Sequence, residues 1–165
     1  MPLWPWNKPK RSPTDMSREL REHALNVTAS ELSVAPTGDL PHVFGLLMET
    51  AYAEAVVTLA AFTDGSTSLY FSNGGGVIGA GQHDAVRAAL APLFKTAENH
   101  LASFTAALVT PYPESGRVRF YVRTYNGTLT AEADEDDLGE MRHPLSPVFH
   151  AAHDVIAAIR EATPS

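Results

Sequence analysis

The segment from Glu54 to Ser72 constrains the fold more than any other part of this sequence. Glu54–Thr63 is apolar and partly β-branched, which suits a strand. Asp64-Gly65 then gives a tight hairpin signal, because these residue types accept positive φ, and Ser66–Ser72 returns as a second strand. A two-residue turn at this point sets Thr63 against Ser66, Phe62 against Thr67 and Leu59 against Tyr70. One face would carry Val56, Thr58, Ala60, Phe62, Leu69 and Phe71, and the other Val57, Leu59, Ala61, Ser68 and Tyr70. Both faces are largely apolar. Such a hairpin needs cover on both sides, from a helical layer or from a second subunit.

The flanking segments supply helices and further strands. Asp39 reads as an N-cap, with Leu40, Val43, Phe44, Leu47 and Ala51 at helical spacing, so a helix is predicted over 40–52. A second helix is predicted over 82–101, with Val86, Ala89, Leu90, Leu93, Ala97 and Leu101 as its apolar stripe and Pro92 as a kink. Phe104–Thr110 reads as a strand, ended by Pro111-Tyr-Pro113. Asn126-Gly127 joins a further pair of strands, Arg117–Tyr125 and Thr128–Asp134. A last helix is predicted over 147–161, after an acidic loop. A short helix over 17–26 precedes all of these. The expected class is α+β: an antiparallel sheet of about five strands with helices packed on it, in the order α-β-β-α-β-β-β-α after the N-terminal helix.

At 165 residues the chain fits one domain, placed at 16–165. Residues 1–15, with four prolines and with Trp4 and Trp6 beside basic residues, read as a flexible tail. The chain has no cysteine, which excludes disulfides, thiolate metal sites and a cysteine nucleophile. Its net charge of -7 opposes a phosphate backbone, so nucleic acid is not expected as a partner. There is no window of about 20 apolar residues, so no transmembrane segment is expected. The first residues also lack the order of a secretory signal. Together these features fit a cytoplasmic protein of bacterial type.

Few motifs carry chemistry. Asn73-Gly-Gly-Gly-Val-Ile-Gly-Ala-Gly81 contains a formal G-x-G-x-x-G at Gly74, Gly76 and Gly79. Backbone amides here could cradle an anion at a helix start, which makes Asn73, Gly74, Gly75, Gly76, Gly79 and Gly81 the candidate ligand-binding residues. The motif follows a hairpin strand rather than a parallel βαβ unit, and Gln82 stands where a P-loop needs lysine. His150 and His153 share a helix side away from its apolar stripe and read as solvated; His143 or Asp154 would have to complete any metal site. Arg117, Arg119, Tyr121, Arg123 and Tyr125 share one strand face. A two-residue turn at Asn126-Gly127 would set Arg123 opposite Thr130, Tyr121 opposite Glu132 and Arg119 opposite Asp134, so the stripe serves the sheet. Glu49 reads as an ordinary junction carboxylate. No catalytic residue, metal site or cofactor is assigned.

The element order, with Val56–Ser72 as an opening hairpin about Asp64-Gly65, resembles the roadblock-like family within the profilin-like architecture, over about residues 40–161. That resemblance implies a homodimeric scaffold or a regulator of small GTPases, usually without catalysis. The mix of three helices with a sheet is also similar to the small acidic dimeric chaperones of bacterial secretion systems. The expected function is a non-catalytic binding or regulatory module acting as a homodimer, with an unidentified protein partner. The alternative is a small-molecule enzyme or ligand-binding protein using the glycine-rich loop 73–81.

Overall fold

The computed structural model describes residues 12–163. In chain order the elements are α1 (Pro13–Asn26), β1 (Val43–Ala51), β2 (Val56–Phe62), β3 (Thr67–Phe71), β4 (Gly76–Val77), α2 (Asp84–Asn99), β5 (Thr105–Ala106), β6 (Arg117–Thr124), β7 (Gly127–Asp134), α3 (Glu135–Gly139) and α4 (Ser146–Ala162). The strands form one antiparallel sheet in the order β4-β3-β2-β1-β6-β7-β5. The class is α+β, as expected. The sheet has seven strands rather than five, and the element order differs from the one predicted.

The largest correction falls at 40–52. These residues form no helix; Val43–Ala51 is β1, and all nine of its residues are buried. It lies mid-sheet between β2 and β6. A strand covered on both faces shows no polar alternation, so its apolar positions also satisfy a helical template. A bulge at Val43–Gly45 shifts the pairing with β6. It leaves Val43, Leu46 and Met48 on one face, and Phe44 and Leu47 on the other. A Cβ at Gly45 would lie 2.5 Å from the Phe62 ring, so only glycine fits beside that side chain.

Both hairpins close one or two residues away from the expected register. In the first, Phe62 N–H donates to the Ser66 carbonyl at 2.9 Å, and the loop is Thr63-Asp64-Gly65 with Gly65 at φ +97°. The extra loop residue pairs Leu59 with Leu69 and Thr58 with Tyr70. That one-residue slip moves Leu69 and Phe71 to the face of Leu59, and Tyr70 to the face of Ala60 and Phe62. In the second hairpin Thr124 pairs with Gly127 around Tyr125-Asn126, so Arg119 stands opposite Glu132 and Arg117 opposite Asp134. A two-residue slip keeps the faces and changes the partners. Arg117 bonds both Glu132 and Asp134, and Arg119 lies 3.4 Å from Glu132. The expected Arg119–Asp134 pairing is not made.

Helices α2 and α4 cover one sheet face through a continuous apolar core. Leu90, Leu93, Phe94, Val148, Ala152 and Ile159 meet Leu46, Met48, Leu59, Val118, Phe120 and Val122. Helix α2 runs through Pro92. The other face is closed by α1 and by the chain after β5. Helix α1 starts at Pro13, earlier than predicted, with Ser12 as N-cap: its hydroxyl accepts from Asp15 N–H at 3.1 Å. Ala24 and Val27 meet Phe44, Leu47, Ala60, Phe62, Tyr70 and Tyr121. Both apolar faces of the first hairpin are thus covered within the chain. The sequence Met1–Arg11, with Trp4 and Trp6, lies outside the described residues.

Candidate functional site

The α1 face of the sheet carries a buried charged cluster at its centre. Glu49 is 0% exposed, on the side of β1 opposite Met48 and Thr50. An ion buried here is tolerable only if each oxygen is bonded. Arg21 supplies two parallel bonds, Nε to Oε2 at 2.7 Å and Nη2 to Oε1 at 2.8 Å. The Thr58 hydroxyl donates to Oε2 at 2.8 Å. This fork-to-fork geometry is the strong form of a charge-assisted pair. Burial works against the Arg21 charge, but the bond to Glu49 and its charge outweigh it and raise the guanidinium pKa.

The same guanidinium reaches a second segment. Arg21 Nη2 donates to the Thr110 carbonyl at 2.8 Å, and the Tyr112 ring lies 4.0 Å from the guanidinium carbon. The Tyr121 hydroxyl donates to the Pro111 carbonyl at 2.6 Å. Ala107 N–H donates to the Thr128 carbonyl at 2.9 Å. Residues 107–113 therefore form a strap across the β6 side of this face, tied at Ala107, Thr110, Pro111 and Tyr112. Only Thr105 and Ala106 of the expected strand 104–110 pair in the sheet. Between the ties the strap holds Leu108 at 93% and Val109 at 72% exposure.

Arg123 does a parallel task at the C-terminal end of α1. Its Nη1 and Nη2 donate to the Ala24 and Val27 carbonyls at 2.7 and 2.8 Å. These carbonyls close the helix C-terminus, where a cation complements the unpaired acceptors. Burial lowers the Arg123 pKa.

The glycine-rich loop is a second tight turn. Gly74 N–H donates to the Phe71 carbonyl at 2.9 Å, and Phe71 N–H donates to that of Gly75 at 3.1 Å. Gly76 and Val77 then pair with β3 as the sheet edge. A Cβ at Gly76 would lie 2.3 Å from the Leu69 carbonyl oxygen, and one at Gly81 1.7 Å from that of Gly65. Close backbone approach explains these two glycines without a ligand. Gly75 and Gly76 also border a hollow of about 150 Å3, with Met16, Leu20, Tyr70 and Ile78. Asn73, Gly74, Gly79 and Gly81 lie outside its wall. The Tyr70 hydroxyl is buried without a hydrogen-bond partner, and burial raises its pKa.

The two histidines of α4 differ from expectation. His150 is exposed, but His153 is half-buried against the Phe149 ring at 4.4 Å, with Nε2 buried and unpartnered. Among the described residues, no group of three or more histidine, aspartate or glutamate side chains is arranged to hold a metal ion.

Sequence reading reached Tyr121 and Arg123 as members of a stripe, but it missed the Arg21–Glu49–Thr58 cluster. The available signal was Glu49 itself, a lone carboxylate inside Val43–Ala51. In a strand buried on both faces such a residue requires a cation. No helix among the described residues is long and apolar enough to cross a membrane. Comparison with protein-family models, curated proteins and solved structures gives no match to this chain.

Proposed function

We propose that this chain is a non-catalytic binding module that acts as a homodimer through the strap 107–113 and the neighbouring β5 edge. One observation carries the reading: Leu108 and Val109 stand in water on a backbone that is tied on both sides. Apolar surface left in water forgoes about 25 cal/mol per Å2. A loose loop would fold such side chains down; the ties to Arg21, Tyr121 and Thr128 prevent it. A rigid apolar projection binds with little ordering cost. The charged groups beneath it are each bonded to protein, which suits a positioning role rather than chemistry.

Two features favour a second copy as the partner. Residues 101–113, Leu-Ala-Ser-Phe-Thr-Ala-Ala-Leu-Val-Thr-Pro-Tyr-Pro, carry no charge in a chain of net charge -7, so two copies can meet here without like-charge repulsion. β5 also ends the sheet, and two end strands related by a twofold axis can pair antiparallel. Sedimentation equilibrium of the wild type and of Leu108→Glu/Val109→Glu tests this. A micromolar wild-type dimer and a folded monomeric variant are expected. A wild-type monomer at tens of micromolar, or a variant that stays dimeric, would contradict it.

The alternative, a small-molecule enzyme or ligand-binding protein using loop 73–81, has one observation in its favour. The apolar hollow beside Gly75 and Gly76 includes Tyr70, whose hydroxyl lacks a partner. A phenol titrated against the protein would shift the Gly75 and Gly76 amides if that reading holds. Absence of any shift at millimolar phenol would remove it.

A further inference from the structure

A separate cavity lies between α4 and the turn end of the β1–β2 hairpin. Its volume is about 120 Å3. His153, Ile156 and Arg160 follow at intervals of three and four along α4, which places them on one helix side. Thr50 and Tyr52 face them from the end of β1, and Met48 and Val57 supply apolar wall. Room for several waters is present, since one water needs only about 10–15 Å3.

Two polar groups in this cavity are not spent on the fold, and a third is only weakly engaged. His153 Nε2 is buried with no hydrogen-bond partner. Arg160 is exposed and makes no salt bridge to another described residue. The Tyr52 hydroxyl has only a long bond, 3.3 Å, to Glu135 Oε2. Donors that line an apolar-walled cavity mark a ligand site, and a permanently charged guanidinium among them selects negative charge. We propose that this cavity binds a small oxyanion, a carboxylate or a phosphate, held by Arg160, by His153 Nε2–H and by the Tyr52 hydroxyl.

The electrostatics around His153 agree. Burial pushes its pKa down, His150 and Arg160 push the same way, and Asp154 opposes them. The ring is therefore neutral near pH 7, with one nitrogen free to donate. An anion beside it adds the opposite charge and must raise its pKa. Glu135, which accepts from the Tyr52 hydroxyl, is the carboxylate that competes for it. The ligand must take that hydroxyl over.

The experiment is an NMR titration of the His153 ring with sodium phosphate, with sodium acetate, and with sodium chloride at matched ionic strength. A saturable shift with phosphate or acetate at millimolar concentration is expected, together with a rise in the His153 pKa. Whichever anion acts more strongly fixes the class. Arg160→Gln, a surface change, should weaken binding about tenfold or more, the scale of one lost charged hydrogen bond. An equal response to chloride, a shift that never saturates, or unchanged affinity in Arg160→Gln would overturn the proposal.

Discussion

The two faces of this sheet are closed by different physics. Helices α2 and α4 sit on a continuous apolar surface in which Phe120, Leu93 and Ile159 are wholly buried. That contact is strong, and its stabilisation depends on area rather than on any single bond. The α1 face is also apolar in part, but three side chains from the sheet place its cover: Glu49 takes Arg21, Tyr121 takes Pro111, and Arg123 takes the end of α1. Hydrogen bonds are directional, so they fix where a segment lies more sharply than apolar contact does. The difference teaches that α1 and the strap are positioned, while α2 and α4 are adhered.

The comparison can be broken by mutation. On the apolar face Phe120→Ala should cost about 3–5 kcal/mol, and no second polar change should recover it. On the polar face Glu49→Ala should cost a similar amount, about 3–5 kcal/mol, because it leaves Arg21 charged, buried and unpaired. Arg21→Met with Glu49→Leu should recover most of that loss, since a buried pair can be replaced by apolar groups of like volume. Urea unfolding of the single and double variants measures all three. Additive losses in the double variant would place the two faces in one class.

Acid should act on the apolar face through two groups at its margins. Glu98 accepts from His42 N–H and Val43 N–H at 2.9 and 3.1 Å, and its other oxygen meets the His42 ring at 2.8 Å. Burial alone would raise its pKa, but these bonds outweigh it and the value falls below the usual 4.5. A depressed carboxylate contributes stability above its unfolded pKa, which is lost as pH falls through the folded one. His153 is also depressed, so the folded state resists its protonation. Stability should decline as pH falls from about 6.5 toward its folded pKa. Melting temperature should thus fall in two stages below pH 7. Glu98→Gln should remove the lower stage, and His153→Phe the upper.

The smallest effect is expected at Tyr70. Its unpartnered hydroxyl gives the fold nothing, so Tyr70→Phe should be neutral or stabilising by up to about 1 kcal/mol. A clear loss would mean that the hydroxyl has a partner, such as a buried water.

Much of the fold could be read from local chemistry. The 3.6-residue stripes gave α2 and α4 within two or three residues, and the Asp-Gly and Asn-Gly signals located both hairpins. They did not fix the registers, because Gly65 and Gly127 each serve a turn one position away from the simplest assignment. β1 was misread because a doubly buried strand has no polar alternation. Leu47, Met48, Glu49 and Ala51 are also good helix formers, and tertiary burial overrode that preference. The strap was misread as strand because Ala106–Val109 is apolar; its detachment depends on Arg21 and Tyr121, which are distant in sequence. The cluster therefore had no local signature beyond Glu49.

Native-state hydrogen exchange on the Arg21→Met/Glu49→Leu variant tests the positioning role of the ion pair most directly. With global stability near that of the wild type, the Ala107 amide and the α1 amides from Arg21 to Asn26 should exchange faster. Amides of β1, β6, α2 and α4 should keep their wild-type protection. Unchanged rates at Ala107 and in α1 would contradict the account, as would a uniform rise across both faces.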